Sequence, residues 1–116
     1  MIKEINAITF FTRDMAAACR FYSSLGFECS RGGPEKSFTT MEAGTVVINL
    51  IHKPEYTGHF FGRLILRVDS ADEEHAAVVN HGLQPLFEPR IAHWGEKYFH
   101  ILDPDGHEIS FAEDLD

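Results

Sequence analysis

The sequence contains no run of about 18 apolar residues, so no segment is expected to cross a bilayer as a helix. Its start, Met1-Ile2-Lys3-Glu4-Ile5, has no apolar signal-peptide core. Cysteine is scarce. Cys19 and Cys29 lack the paired spacing of a disulfide framework or a metal site, and are expected to be free and reduced in a cytoplasmic setting. Neither lies in an activating motif, so a catalytic thiol is not expected. Basic residues are also few, 10 Lys and Arg against 18 Asp and Glu, with a net charge of −8 and a pI near 5.2. That balance argues against nucleic acid, whose phosphates need clustered cations. The acidic excess serves solubility first and favours a cationic partner only weakly. None of the seven histidines forms a His-x-His or HExxH pair.

What is present fits one domain. The 116 residues are 44% apolar, and ten Phe, three Tyr and one Trp predict an aromatic interior or cavity. Ile8–Thr12 is β-branched and aromatic, as a strand requires. Asp14 is a good helix N-cap, and Met15, Ala18, Cys19, Tyr22 and Leu25 recur at helical spacing up to Gly26, which ends the helix. The same punctuation returns downstream. Leu64–Val68 reads as a strand, Ser70 with Glu73 as a capping box, His75, Val78 and Val79 as a helix, and Gly82 as its stop. Asp14 to Gly26 and Ser70 to Gly82 are each 12 positions, and the copies are offset by 56. This is an internal repeat.

Three strand candidates follow each helix. In the first copy they are Phe27–Ser30, Ser37–Glu42 and Thr45–Ile51. In the second they are Gln84–Glu88, Lys97–Leu102 and His107–Ala112, the last two joined by the turn Asp103-Pro104-Asp105-Gly106. The expected fold class is α+β, a single domain over 1–116. It consists of two tandem βαβββ modules (about 1–53 and 63–116, with a linker over 54–62) whose curved mixed sheets surround a groove. One helix covers one face of each sheet, and the other face needs a counterpart. A ligand belongs in the groove.

These residues carry a family likeness. Asp14…Phe21-Tyr22…Leu25-Gly26-Phe27 resembles the D…FY…LGF signature of the vicinal oxygen chelate superfamily, as does His93-Trp94-Gly95 followed by Phe99 and Asp103-Pro104-Asp105-Gly106-His107-Glu108-Ile109. That superfamily includes glyoxalase I, extradiol dioxygenases and fosfomycin- and bleomycin-resistance proteins. The resemblance implies a divalent ion held by one His or Glu from the first and last strand of each unit. Aligned on the helix starts and the last hairpin, those places read Ala7, Asn49, Arg63 and Ser110. Ala has no donor, Arg cannot ligate, and Asn and Ser are weak neutral ligands. No metal and no cofactor are therefore expected. An unorthodox metal site drawing on His52, His59, His93 and His100 is the remaining alternative. The chain most resembles the metal-free bleomycin-resistance-like branch, whose members are homodimers that sequester a cationic drug in acidic, aromatic clefts.

Strand alternation then selects groove residues. Phe11 faces the groove with Ala7 and Thr9, and Asn49 with Val47 and Ile51. Arg63, Glu108 and Ser110 do so in the second copy, with Arg63 available to a ligand carboxylate or to Glu108. With Leu102 opposite His107, Phe99 opposes Ser110 in the groove and His100 falls on the helix side. Trp94 and Phe38 are candidates for stacking on a planar or cationic ligand. Phe60 and Phe61 are expected to anchor the linker. The expected function is metal-free binding of a small organic ligand, cationic or aromatic, by a homodimer, with antibiotic sequestration as its use. The alternatives are a lyase, isomerase or dioxygenase with an atypical metal site, and metal-free acid–base catalysis by His93 or Glu108.

Overall fold

The computed structural model describes residues 1–58 and 62–116; His59, Phe60 and Phe61, with the roles expected of them, lie outside the described residues. The elements are β1 (Ile8–Thr12), α1 (Met15–Ser24), β2 (Glu28–Arg31), β3 (Phe38–Ala43), β4 (Val46–His52), β5 (Arg63–Arg67), α2 (Ala71–Asn80), β6 (Arg90–Ala92), β7 (Glu96–Leu102) and β8 (Glu108–Asp114). They form two four-stranded mixed sheets, ordered β1-β4-β3-β2 and β5-β8-β7-β6. In each, the first strand pairs parallel with the last and the remaining pairs are antiparallel. The chain divides into two compact units, residues 1–58 and 59–116. This is an α+β fold of two βαβββ repeats.

The repeat has a physical basis. Met15 to Ala71 and Ser24 to Asn80 are both 56 positions apart. Each helix starts at a side chain that accepts from an otherwise unpaired backbone N–H: Asp14 Oδ1 from Ala17 N at 3.0 Å, and Ser70 Oγ from Glu73 N at 3.1 Å. Each ends at a glycine of positive φ, Gly26 at 104° and Gly82 at 81°. In α2, the Glu113 carboxylate on β8 also accepts from Ala71 N at 2.9 Å, tying the helix start to the sheet. Ser70→Ala is expected to lower stability in urea unfolding by about 1 kcal/mol. Because Glu113 still holds Ala71 N, the far-UV helix signal of the native state should not change.

Each helix packs on one face of its own sheet. In the first unit, buried Tyr22 meets Phe10, Phe21 and Phe27, with ring centroids 6.5, 5.0 and 5.7 Å away, above Met41, Ile48 and Leu50. In the second, Val78 of α2 lies in a core with Phe99, Ile101, Ile109 and Phe111. Lys97, on the same face, reaches Asp72 of α2 at 2.6 Å.

Two expectations are corrected. Gln84–Glu88 is not a strand. Pro85 lies within it and Pro89 follows it, each without an N–H, and among the described residues its backbone bond to β7 is a single one, from Leu86 N to His100 O at 2.9 Å. Strand pairing begins after Pro89, at Arg90. The last hairpin is also shifted by one residue. Its closing bond runs from Asp103 N to His107 O, not from Leu102 to His107. The loop is Pro104-Asp105-Gly106: a turn closed by Gly106 N on Asp103 O, followed by Gly106 itself at φ 89°. This three-residue loop is one residue shorter than the four-residue turn expected, because Asp103 itself pairs across to His107. Asp103 Oδ1 fixes it by accepting from both Asp105 N and His107 N at 2.9 Å. Leu102 therefore pairs with Glu108, His100 with Ser110, and Phe99 with Phe111.

Candidate ligand-binding site

Each sheet has a second face that its own helix leaves uncovered. On the first unit, pairing sets Thr9, Asn49 and Thr40 in one row and Phe11, Ile51 and Phe38 in the next. Phe11 and Phe38 are 38% and 39% exposed. Thr40 Oγ1 donates to Asn49 Oδ1 at 2.8 Å. Tyr56 meets the Phe11 ring edge-on at 5.7 Å, and Lys53 Nζ lies 5.0 Å from the same ring. Val47 belongs to this face, paired with Glu42. Phe11, Phe38, Val47 and Asn49 thus share one face.

The uncovered face of the second unit is chemically richer. Its rows are Arg63–Glu108–Leu102, then Ile65–Ser110–His100, then Arg67–Ala112–Tyr98–Arg90. Glu96 pairs with Ala92 and Asp114 in a final row, next to the turn that carries His93 and Trp94. Aromatic rings run along it. Trp94 stacks on Tyr98 at 6.2 Å, Tyr98 meets His100 at 5.3 Å, and Phe87 meets both Tyr98 and His100 at 5.8 and 5.1 Å. The Arg90 guanidinium lies 3.7 Å above the Phe87 ring, close enough for a cation–π contact. The Trp94 indole N–H donates to Glu96 Oε1 at 2.8 Å.

Arg63 and Glu108 form an ion pair through Nε and Oε2. Of the two partners expected for Arg63, Glu108 is the one it holds. His100 Nδ1 stands 3.6 Å from the same carboxylate oxygen, beyond hydrogen-bond length. Burial pushes the His100 pKa below its ordinary value, with Arg63 and Arg90 adding to the shift and Glu108 opposing it. His100 is therefore neutral at pH 7.

Phe99 requires correction as a groove residue. It is fully buried on the helix face, 5.1 Å from His75 of α2 and stacked 5.0 Å from Phe111. The one-residue shift of the hairpin, with Asp103 opposite His107, reverses the facing of every side chain on β7 relative to β8 from the one expected. The same shift brings His100 and Tyr98 to the open face, where sequence reasoning had not placed them. His93 and Glu108, the candidate acid–base residues, lie at opposite ends of that face. The span from Glu96 to Leu102 along β7 separates them by about 20 Å. His93 is exposed and its ring meets Trp94 at 4.8 Å. Cys19 is not activated: burial raises its pKa, the nearby Cys29 adds to this, and a hydrogen bond with Thr39 opposes it.

The chain's likeness to known proteins can be set against this geometry. Residues 4–111 match the sequence model of the Glyoxalase/Bleomycin resistance protein/Dioxygenase superfamily. The chain belongs to that superfamily. No curated protein matches it. Among solved structures it resembles a bleomycin-binding protein complexed with bleomycin, with 19% identity, a TM-score of 0.78, and coverage of 97% of this chain and 99% of that one. It also resembles a bleomycin resistance determinant encoded on transposon Tn5 (18%, 0.79, 97% and 98%). A lactoylglutathione lyase from Agrobacterium tumefaciens is similar in the same measure (17%, 0.79, 97% and 95%). At these identities the likeness is one of fold.

Within this superfamily the donor set does not suit a divalent ion. Thr9 pairs with Asn49 as Ile65 pairs with Ser110, so Asn49 and Ser110 occupy equivalent places in the two sheets. Asn49 Oδ1 already accepts from Thr40, Arg63 is ion-paired, and Ala7 has no donor. Among the described residues no three His, Cys, Asp or Glu side chains gather. Neither a carboxylate nor an imidazole stands at any of the four places.

The neutral His100 makes stability depend on pH. Its pKa when folded is below 6.5, its ordinary value when unfolded. As pH falls through 6.5 the unfolded chain takes up a proton that the folded chain resists, so stability is lost on acidification. Urea unfolding from pH 8 down to pH 5 should show this loss. His100→Gln should flatten the part of the curve that begins near pH 6.5.

Proposed function

We propose that this protein binds a small planar organic molecule on the open face of its second unit, without a metal, and acts by sequestering it. The observation that carries the reading is the row of rings Trp94, Tyr98, Phe87 and His100, held edge to face or stacked beside three arginines. A flat ligand gains area and ring contacts there. The donor-poor places at Ala7, Asn49, Arg63 and Ser110 favour binding over metal-assisted chemistry. The proposal includes a homodimer, since each sheet has one helix and two faces, and a cytoplasmic location, in keeping with free Cys19 and Cys29.

The bleomycin-binding relatives make a bleomycin-type drug the first ligand to try. Trp94 is the sole tryptophan and is 61% exposed, so its fluorescence reports on the site directly. Titration in EDTA is expected to give saturable quenching, unchanged when Ni, Zn, Mn or Fe(II) replaces the chelator. Quenching that appears only with added metal would support a metal-dependent lyase, isomerase or dioxygenase instead. Drug without effect at high micromolar concentration would remove drug sequestration from the proposal.

A further inference from the structure

The chain carries eight more acidic than basic side chains, 18 against 10, yet three of its six arginines lie on one face of one sheet. Arg63 and Arg67 project from β5 on the same side, and Arg90 joins them across β8 and β7. Only Arg63 has an acidic partner. No ion pair among the described residues engages Arg67 or Arg90. These two share one row, with Ala112 and Tyr98 between them. Ala112, the small member of that row, is buried beneath its larger neighbours, so the two arginines and Tyr98 are the members a ligand can reach. Arg90 stacks its flat face on Phe87 and leaves its N–H edge for another acceptor. His100, in the adjacent row, brings no charge of its own. The face does hold acids. Glu108 is taken by Arg63, while Glu96, bonded to Trp94, and Asp114 lie one row further toward the turn.

We propose that the ligand of this face is an aromatic carboxylate, its anionic group held by the unpaired guanidiniums of Arg67 and Arg90 and its ring laid on Tyr98 and Trp94. The inference rests on the reading that this face is the binding site, and it reverses the ligand charge that the acidic composition suggests. Net charge acts at a distance and is screened over about 8–10 Å in physiological salt, whereas specificity is decided by the groups in contact. Arginine is the side chain that matches a carboxylate with two parallel N–H donors. Two unpaired guanidiniums flanking an aromatic floor provide for both parts of such a molecule.

The test compares three probes of one ring system on Trp94 fluorescence: 2-naphthoate, naphthalene-2-carboxamide and 2-naphthylmethylammonium. The carboxylate is expected to bind about tenfold or more tightly than the amide, and the ammonium most weakly. The preference should shrink as salt rises. The double variant Arg67→Gln/Arg90→Gln should lose most of the carboxylate preference while keeping amide binding, and Arg67→Lys/Arg90→Lys should restore part of it. Equal binding of carboxylate and amide, tighter binding of the ammonium, or an unchanged preference in the Gln variant overturns the inference and leaves the binding reading intact. Binding of none of the three overturns both.

Discussion

Phe99→Ala is expected to destabilise the chain by about 3–5 kcal/mol, the range for removing a fully buried aromatic ring. Phe99 has no exposed surface and lies between His75 of α2 and Phe111 of β8, with ring centroids 5.1 and 5.0 Å away. Truncation would open a void between helix and sheet that neither ring can fill without leaving its rotamer. Phe99→Leu keeps most of the volume and should cost far less. The partition between stability and binding is the informative part. Phe99→Leu should leave ligand affinity where it was, because the side chain points away from the face that carries Tyr98 and His100. Urea unfolding together with a fluorescence titration checks both halves.

Gly32→Ala should lower stability by roughly 2–5 kcal/mol, combining a left-handed backbone with overpacking. Gly32 has φ 83°, and a Cβ there would stand 2.1 Å from Phe38 O and 2.9 Å from Thr39 Cα. Both are backbone atoms of β3 and cannot swing aside. The approach is close because buried Thr39 clasps the next residue, its Oγ1 donating to Gly33 O and accepting from Gly33 N at 3.0 Å each. A methyl group would prise the β2–β3 connection from the sheet. Gly26→Ala is the control. Gly26 also has positive φ, 104°, but nothing lies within 4 Å of its Cβ position. Its loss should be confined to the conformational part, about 1–2 kcal/mol. Similar losses at both positions would show that the contact with β3 is not what fixes Gly32.

Much of the fold was legible because its punctuation is chemical. Asp14 and Ser70 cap as their side chains require, and Gly26 and Gly82 stop helices that begin 56 residues apart. In the first unit the facing of Phe11, Val47 and Asn49 was also legible. The β3–β4 hairpin turns through two residues, Gly44-Thr45, and Ala43 pairs with Val46, so simple alternation holds. The second unit was harder for a specific reason. Asp-Pro-Asp-Gly marks a turn, but a four-residue reading keeps Asp103 in the loop, whereas Asp103 pairs across to His107 and only Pro104, Asp105 and Gly106 form the connection. The signal was in the sequence: an aspartate able to accept from N–H groups two and four residues on, followed by glycine at the third. Reading it would have opposed Phe99 to Phe111 and brought His100 to the open face. The Gln84–Glu88 segment misled differently. Its apolar residues look strand-like, but Phe87 serves as a floor for Arg90, and two prolines deny the segment a ladder. Which arginines lack a partner is a matter of cross-strand register, and no linear pattern displays it.

The central claim is that the second unit's open face holds its ligand with organic side chains and no ion. Calorimetric titration of metal-stripped protein with 2-naphthoate, repeated with each divalent metal in turn, tests it most directly. The account predicts saturable binding to the stripped protein with an affinity that added metal does not change. Heat that appears only once an ion is supplied would contradict it.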